Sequence, residues 1–242
     1  MTPFITACIK ANEEIATAIK DNFDPSWFEK TVVGAGGDVS SKLDLFAEAI
    51  FVKHLGSFGH IESEESGLIG TGADKIIIDP IDGSSNALSL FPFYGTSVAR
   101  VNAEGILDAA MVCNLGNHDI FFTTMAKGVQ QGKLFSNIYH TPHTAANAEI
   151  GLFEKAYANP KLVALLDQEK LKFRAPGAIA LSLAYAHTVN YVLYTGTFRI
   201  YDFAAGLALC KGLEVIVEED YVIVSKDKII ADKIEKLIKE LL

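Results

Sequence analysis

The chain has 242 residues, half of them apolar, with 21% charged and a formal net charge of −9. That length supports one large domain or two lobes around a substantial core, and the acidic balance argues against a nucleic-acid-binding surface. Arg100, Arg174 and Arg199 are its only arginines, which excludes a large basic phosphate-binding patch; an anionic substrate would have to be met through divalent cations.

No charged start followed by an apolar signal core opens the sequence, and no apolar run approaches membrane-spanning length, so a cytoplasmic protein without membrane contact is expected. Residues 4–21 carry Ile5, Cys8, Ile9, Ile15 and Ile19 close to helical spacing, a pattern broken at Asp24-Pro25. Gly34-Ala35-Gly36-Gly37 reads as a flexible loop leading into Asp38. Residues 42–55 place Leu43, Phe46, Ile50 and Leu55 on one helical face, with Asp44 in the first turn, where the helix dipole alone would favour an acid. Residues 57–64 read as a turn and a short strand ending at Glu64-Glu65. Such a pair is ordinarily relieved by solvent, and otherwise by a cation.

The run Ile76-Ile77-Ile78-Asp79-Pro80-Ile81-Asp82-Gly83-Ser84-Ser85-Asn86 is the most informative segment. Its β-branched start predicts a buried strand, stopped at Pro80 and delivering Asp79 and Asp82 at its end as hard anionic oxygens for a cation such as Mg²⁺. Gly83-Ser84-Ser85 would bring backbone N–H groups close to an anion, the more so if Ser84 opens a helix. An ordinary turn capped by Asp79 is the alternative for an isolated Asp-Gly-Ser.

Strands are predicted over 94–101, 107–115 and 120–124, with a hairpin near Gly128 and Gly132. A loop over 136–148 follows, in which the metal-like spacing of His140 and His143 falls among Thr141, Pro142 and Thr144. A strand over 150–153, a helix over much of 154–172 interrupted at Asn159-Pro160, a helix from about 179 and a strand over 189–193 come next. Phe203–Gly212 is expected to be a helix opening directly after Asp202, which would serve as its N-cap. Ile229, Ile230, Ile234, Leu237, Ile238 and Leu241 form the apolar face of a final helix. Cys8, Cys113 and Cys210, far apart and without paired spacing, read as small buried residues in a reducing compartment. Alternating helices and strands fit an α/β (α+β) layered architecture.

Four segments in order, Gly37-Asp38-Val39-Ser40-Ser41-Lys42-Leu43-Asp44, Ile61-Glu62-Ser63-Glu64-Glu65-Ser66-Gly67, Asp79-Pro80-Ile81-Asp82-Gly83-Ser84-Ser85-Asn86 and Tyr201-Asp202-Phe203-Ala204-Ala205-Gly206, resemble the signatures of the lithium-sensitive, Mg²⁺-dependent phosphatases. The superfamily includes inositol monophosphatases, fructose-1,6-bisphosphatases and bisphosphate nucleotidases, and the last element and the Arg174–Leu181 segment look most like inositol monophosphatase. The resemblance implies a five-layer αβαβα sandwich with an N-terminal lobe over 1–137, a C-terminal lobe over 138–242, and metals between them. It implies two or three Mg²⁺ ions, Mn²⁺ being able to substitute, and a homodimer.

By the same resemblance, Glu64, Asp79 and the Ile81 carbonyl would hold a first metal, and Asp79, Asp82 and Asp202 a second, with a third ion on Glu64. Glu64 would orient the attacking water with Ser84, whose hydroxyl Asp44 holds; Glu65 would stand in the outer shell. Gly83, Ser84 and Ser85 would bind the phosphate, and Gly177, Ala178 and Arg199 would complete the substrate site. The implied reaction is hydrolysis of a phosphate monoester of a small sugar or polyol. Thr195 falls near where inositol-specific members carry a glutamate, which puts myo-inositol 1-phosphate in doubt. Fructose-1,6-bisphosphatase, bisphosphate nucleotidase and a catalytically silent binding protein are the alternatives.

Overall fold

The computed structural model describes residues 1–21, 24–37 and 39–241; Asp38, in the N-terminal motif above, lies outside the described residues. In chain order the elements are α1 (Pro3–Asp21), β1 (Lys30–Val33), β2 (Val39–Ser41), α2 (Lys42–Leu55), β3 (His60–Ser63), β4 (Gly67–Ile69), β5 (Lys75–Asp82), α3 (Ser84–Leu88), β6 (Gly95–Val101), β7 (Leu107–Asn114), β8 (Asp119–Thr124), β9 (Lys127–Lys133) and β10 (Tyr139–His140). There follow β11 (Gly151–Glu154), α4 (Pro160–Gln168), β12 (Phe173–Arg174), α5 (Ile179–Ala184), β13 (Tyr191–Thr195), α6 (Ile200–Ala208), β14 (Glu214–Val217), β15 (Tyr221–Ser225) and α7 (Lys228–Lys239).

Two sheets carry the architecture. The first runs β10-β9-β8-β7-β6-β5-β3-β4 and the second β12-β11-β13-β15-β14, while β1 and β2 form a separate ribbon. Side chains alternate across each strand, so each sheet feeds two apolar layers. Ile76, Ile78, Val98 and Met111 pack under α1 and α2, whereas Ile77, Ala99, Ala110 and Val112 face Leu181, Ala184, Ala205 and Leu209 of the α5–α6 layer. The opposite side of α5 and α6, with Leu183, Phe203 and the following Cys210, meets Val192, Val222 and Val224 of the second sheet. Beyond that sheet, Phe153, Tyr191, Leu193 and Ile223 meet Leu162 and Leu166 of α4 and Ile234 and Ile238 of α7. The result is the expected five-layer αβαβα order. The division expected at residue 137 falls between β9 and β10, so the last short strand of the first sheet stands beyond it, and the second sheet begins at Gly151.

Several local expectations change. Pro80 does not stop its strand: β5 continues to Asp82 through an irregularity in which Asp79 pairs with Ser97 and Asp82 with Gly95. Three steps on β5 thus oppose two on β6, a bulge that tolerates a residue lacking an N–H. The 154–172 segment forms only a 3-10 turn at Ala156–Ala158 and α4, because Pro160 begins a new helix. Gly128 and Gly132 lie within β9, whose hairpin with β8 turns at residues 125–126. The strand expected over 189–193 is β13, shifted to Tyr191–Thr195.

Cys8, Cys113 and Cys210 are buried and free. Burial pushes all three thiols up, Cys210 to about 12, leaving almost no nucleophilic thiolate near neutral pH. Titration with a thiol-reactive chromophore should therefore find no reactive cysteine in the native protein and all three after denaturation.

Candidate active site

Helix α2 begins with a reciprocal cap. Ser41 Oγ accepts from Asp44 N at 3.3 Å, and Asp44 Oδ2 accepts from Ser41 N at 2.6 Å. This uses one carboxylate oxygen for the helix start. The other, Oδ1, accepts from Ser84 Oγ at 2.9 Å, forty residues along the chain. The first-turn role and the contact with Ser84 coexist in one side chain.

The bulge in β5 explains how Asp79 and Asp82 act together. Residues three apart on a regular strand face opposite sides; the extra residue at the irregularity lets both line one cavity. Asp79 Oδ1 accepts from Ile81 N at 3.0 Å, and Ser84 Oγ lies 2.9 Å from the Ile81 carbonyl. Gly83 has φ +86°, and Ser84 opens α3 immediately after it. A β-carbon at Gly83 would come within 3.0 Å of Ala178 Cβ and 3.2 Å of the Gly177 carbonyl, so glycine permits the two loops to touch.

Glu64 follows β3 directly. The glycine loop expected to be flexible is pinned across it, with Gly36 N donating to Glu64 O at 2.7 Å and Ala35 N to Glu65 O at 2.9 Å. Glu65 accepts from Ser40 Oγ rather than facing solvent alone.

The second half supplies Asp202 and its neighbours. The expected N-cap role is corrected: α6 starts at Ile200 after Arg199 and ends at Ala208, placing Asp202 within the first turn. Arg199, placed at a substrate anion by the sequence resemblance, spans carboxylates of both halves. Its Nη1 lies 2.8 Å from Glu64 Oε1, while Nε and Nη2 donate to Asp202 Oδ2 and Oδ1 at 2.9 and 3.3 Å. Carboxylates on both sides accept from the guanidinium fork.

One oxygen each from Glu64, Asp79 and Asp202 lies within 4.8 Å of the others. Asp82 stands outside that trio; its Oδ2 accepts from Leu181 N at 2.9 Å. Asp44, Asp79, Asp82 and Asp202 are all at most 4% exposed. Burial, then the charge of Glu64, pushes the Asp79 carboxyl well above the usual range; burial, then Asp202, does the same to Asp82. Carboxylate oxygens whose charges repel one another, only partly answered by Arg199, fit a hard divalent cation. Those oxygens and Gly83-Ser84-Ser85 line a single cavity of about 510 Å³.

Sequence reasoning missed Glu154. Buried at the end of β11, it accepts from Gly177 N at 2.9 Å, Ala178 N at 3.4 Å and Ser182 Oγ at 2.5 Å, fixing the loop that faces the cavity. Asn86 Nδ2 ties the same loop from the other side, donating to Pro176 O at 2.7 Å. No motif marks Glu154; an acid closing an otherwise apolar strand was the available signal.

A sequence model described as the inositol monophosphatase family matches residues 1–219. A Nus factor SuhB of Salmonella typhimurium is 30% identical over 237 residues, covering 90% of this chain and 86% of that protein. A bifunctional NADP phosphatase/NAD kinase of Methanococcus maripaludis is 27% identical across 79% of this chain, which spans 38% of that longer protein. Among solved structures, the MJ0109 gene product, an inositol monophosphatase–fructose 1,6-bisphosphatase, superposes with TM-score 0.80 at 21% identity, covering 98% of this chain and 100% of that one. A Thermotoga maritima IMPase gives TM-score 0.78 at 21% identity, covering 98% and 96%. At such identity the two structures establish the fold alone.

Glu154→Ala leaves two backbone donors and a hydroxyl without their acceptor, which should cost about 1–3 kcal/mol in a denaturant titration. Arg199→Gln removes a cation from Glu64 and Asp202. Calorimetric titration with Mg²⁺ should show about tenfold tighter binding, with a lower melting temperature in chelator.

Proposed function

This chain belongs to the inositol monophosphatase family, and from that premise we propose that it is a Mg²⁺-dependent phosphatase acting on a monoester of a small sugar or polyol. The observation that carries this reading is the convergence of Glu64, Asp79 and Asp202 within 4.8 Å, beside the Gly83-Ser84-Ser85 turn.

Glu64, Asp79 and the Ile81 carbonyl would hold one ion, and Asp79, Asp82 and Asp202 another, Asp79 being shared. A bound metal pair supplies an activated water, neutralised phosphoryl oxygens and a stabilised leaving oxygen. The remaining work belongs to the chain. Ser84, held by its hydrogen bond to Asp44, and Glu64 orient the attacking water. Gly83, Ser84 and Ser85 aim backbone N–H groups at the phosphoryl oxygens, donors already in place as charge develops. Gly177, braced by Glu154, faces the alcohol portion of the substrate, while Ala178, expected beside it, is buried in the core and supports the loop from behind. Glu65, held by Ser40, supports the strand end carrying Glu64.

The relatives described as an NADP phosphatase and an inositol monophosphatase–fructose 1,6-bisphosphatase extend the range of substrates to be tried. A relative described as a Nus factor supports a second reading, a partner-binding protein. Retention of Asp44, Glu64, Asp79, Asp82 and Asp202 favours the enzyme.

Phosphate release should require added Mg²⁺ when inositol 1-phosphate, fructose 1,6-bisphosphate, NADP and adenosine 3′,5′-bisphosphate are assayed side by side. No release from any would favour the partner-binding reading. Asp79→Asn should lower turnover at least about a hundredfold. Because burial and neighbouring charge oppose ionised Asp79, the same variant should melt no lower than the parent in chelator.

A further inference from the structure

Besides the carboxylates, the wall of the cavity includes Lys155, Tyr157 and Tyr194, none of which belongs to the phosphate or metal motifs. Lys155 follows the buried Glu154 at the end of β11: Glu154 turns inward to the loop at Gly177, and Lys155 is exposed. Its backbone is left-handed, φ +58°, an uncommon conformation for a residue with a side chain. Asn159 Nδ2 holds that conformation, donating to Lys155 O at 3.1 Å and to Thr195 Oγ1, at the end of β13, at 2.7 Å.

The ammonium is fixed as well. Lys155 Nζ donates to Tyr194 Oη at 2.9 Å and lies 5.0 Å from the centre of the same ring. Tyr194 is itself buried, and its hydroxyl donates to Thr197 O at 2.8 Å. Among the described residues no carboxylate stands within ion-pair distance of Lys155, whereas Arg199 is engaged by Glu64 and Asp202. Arg174, the other arginine of this half, is exposed and donates to the Phe173 carbonyl. Lys30 of β1 also lines the cavity, with no hydrogen bond fixing its ammonium among the described residues.

We propose that Lys155, positioned by Tyr194, binds a second anionic group on the substrate, so that the preferred substrates are phosphate monoesters carrying a further phosphate or diphosphate. This rests on the phosphatase reading above and narrows its substrate class. The physical need is plain: the cavity wall is dominated by carboxylates, which repel any anion not neutralised by metal or by a cation of the chain. A preorganised ammonium two hydrogen-bond donors short of saturation meets that need without ordering a flexible side chain.

The test compares wild type, Lys155→Met, Lys155→Arg and Lys30→Met on fructose 1,6-bisphosphate and inositol 1-phosphate, by Mg²⁺-dependent phosphate release and by calorimetric binding. Lys155→Met should lower kcat/KM for the bisphosphate roughly tenfold, through KM, and weaken its binding equally. Inositol 1-phosphate should change less than about twofold, and Lys155→Arg should restore most of the loss. Equal losses on both substrates, an unchanged ratio, or a shift produced by Lys30→Met instead would overturn the proposal. If no substrate is hydrolysed yet Lys155→Met still weakens bisphosphate binding selectively, the phosphatase reading fails and the anion site stands. If hydrolysis proceeds with no selective effect, the reverse holds.

Discussion

The structure turns on a concentration of negative charge that water cannot relieve. Asp44, Glu64, Asp79, Asp82 and Asp202 are buried around one cavity, and ions of one sign in a poorly solvated site raise one another's energy steeply. The surrounding fold answers with directed positive ends: the Leu181 amide on Asp82, the Ser41 amide on Asp44, the Ile81 amide on Asp79, and the Arg199 fork across Glu64 and Asp202. A packed hydrophobic domain would gain nothing from such an arrangement. Such a cluster suits the gathering of cations, the role proposed for it above, through which an acidic chain can meet an anionic substrate.

The layers explain how distant segments reach that cavity. Strand β5 sits inside the first sheet, and its end emerges where α6 crosses β5 and β6. The Arg174–Leu181 segment comes off β12 beside β11 and is stitched to the first half through Asn86 and Asp82. Glu64, Asp79 and Asp82 thus reach the cavity from the first sheet, and Glu154, Gly177 and Asp202 from the elements of the second half.

Much of this was legible beforehand, because period and punctuation are local properties. The apolar run at Ile76–Ile78, the helix over 42–55 and the amphipathic end of the chain were read from spacing alone. Misreadings came where neighbours outvote local preference. Pro80 looks like a strand breaker, yet a bulge against Gly95 absorbs it. Asp202 resembles a cap, but the helix begins earlier and carries it in its first turn. Strands β14 and β15 went unrecognised, being short and separated by the acidic turn around Glu218–Asp220. Glu154 shows in the sequence only as an acid closing an apolar strand, because its partners, two amides and the Ser182 hydroxyl, belong to another segment.

Gly206 lies where α6 meets α5: a β-carbon there would come within 2.7 Å of Leu183 Cδ1 and 2.9 Å of its Cβ. The same short helix carries Asp202, while α5 begins just beyond the loop braced by Glu154. The absent methyl group therefore acts as a shim setting for the central stratum. Thicken it, and carboxylates contributed by opposite halves of the polypeptide would be pushed apart, so the spacing of Glu64, Asp79 and Asp202 is gauged by packing well away from any charge.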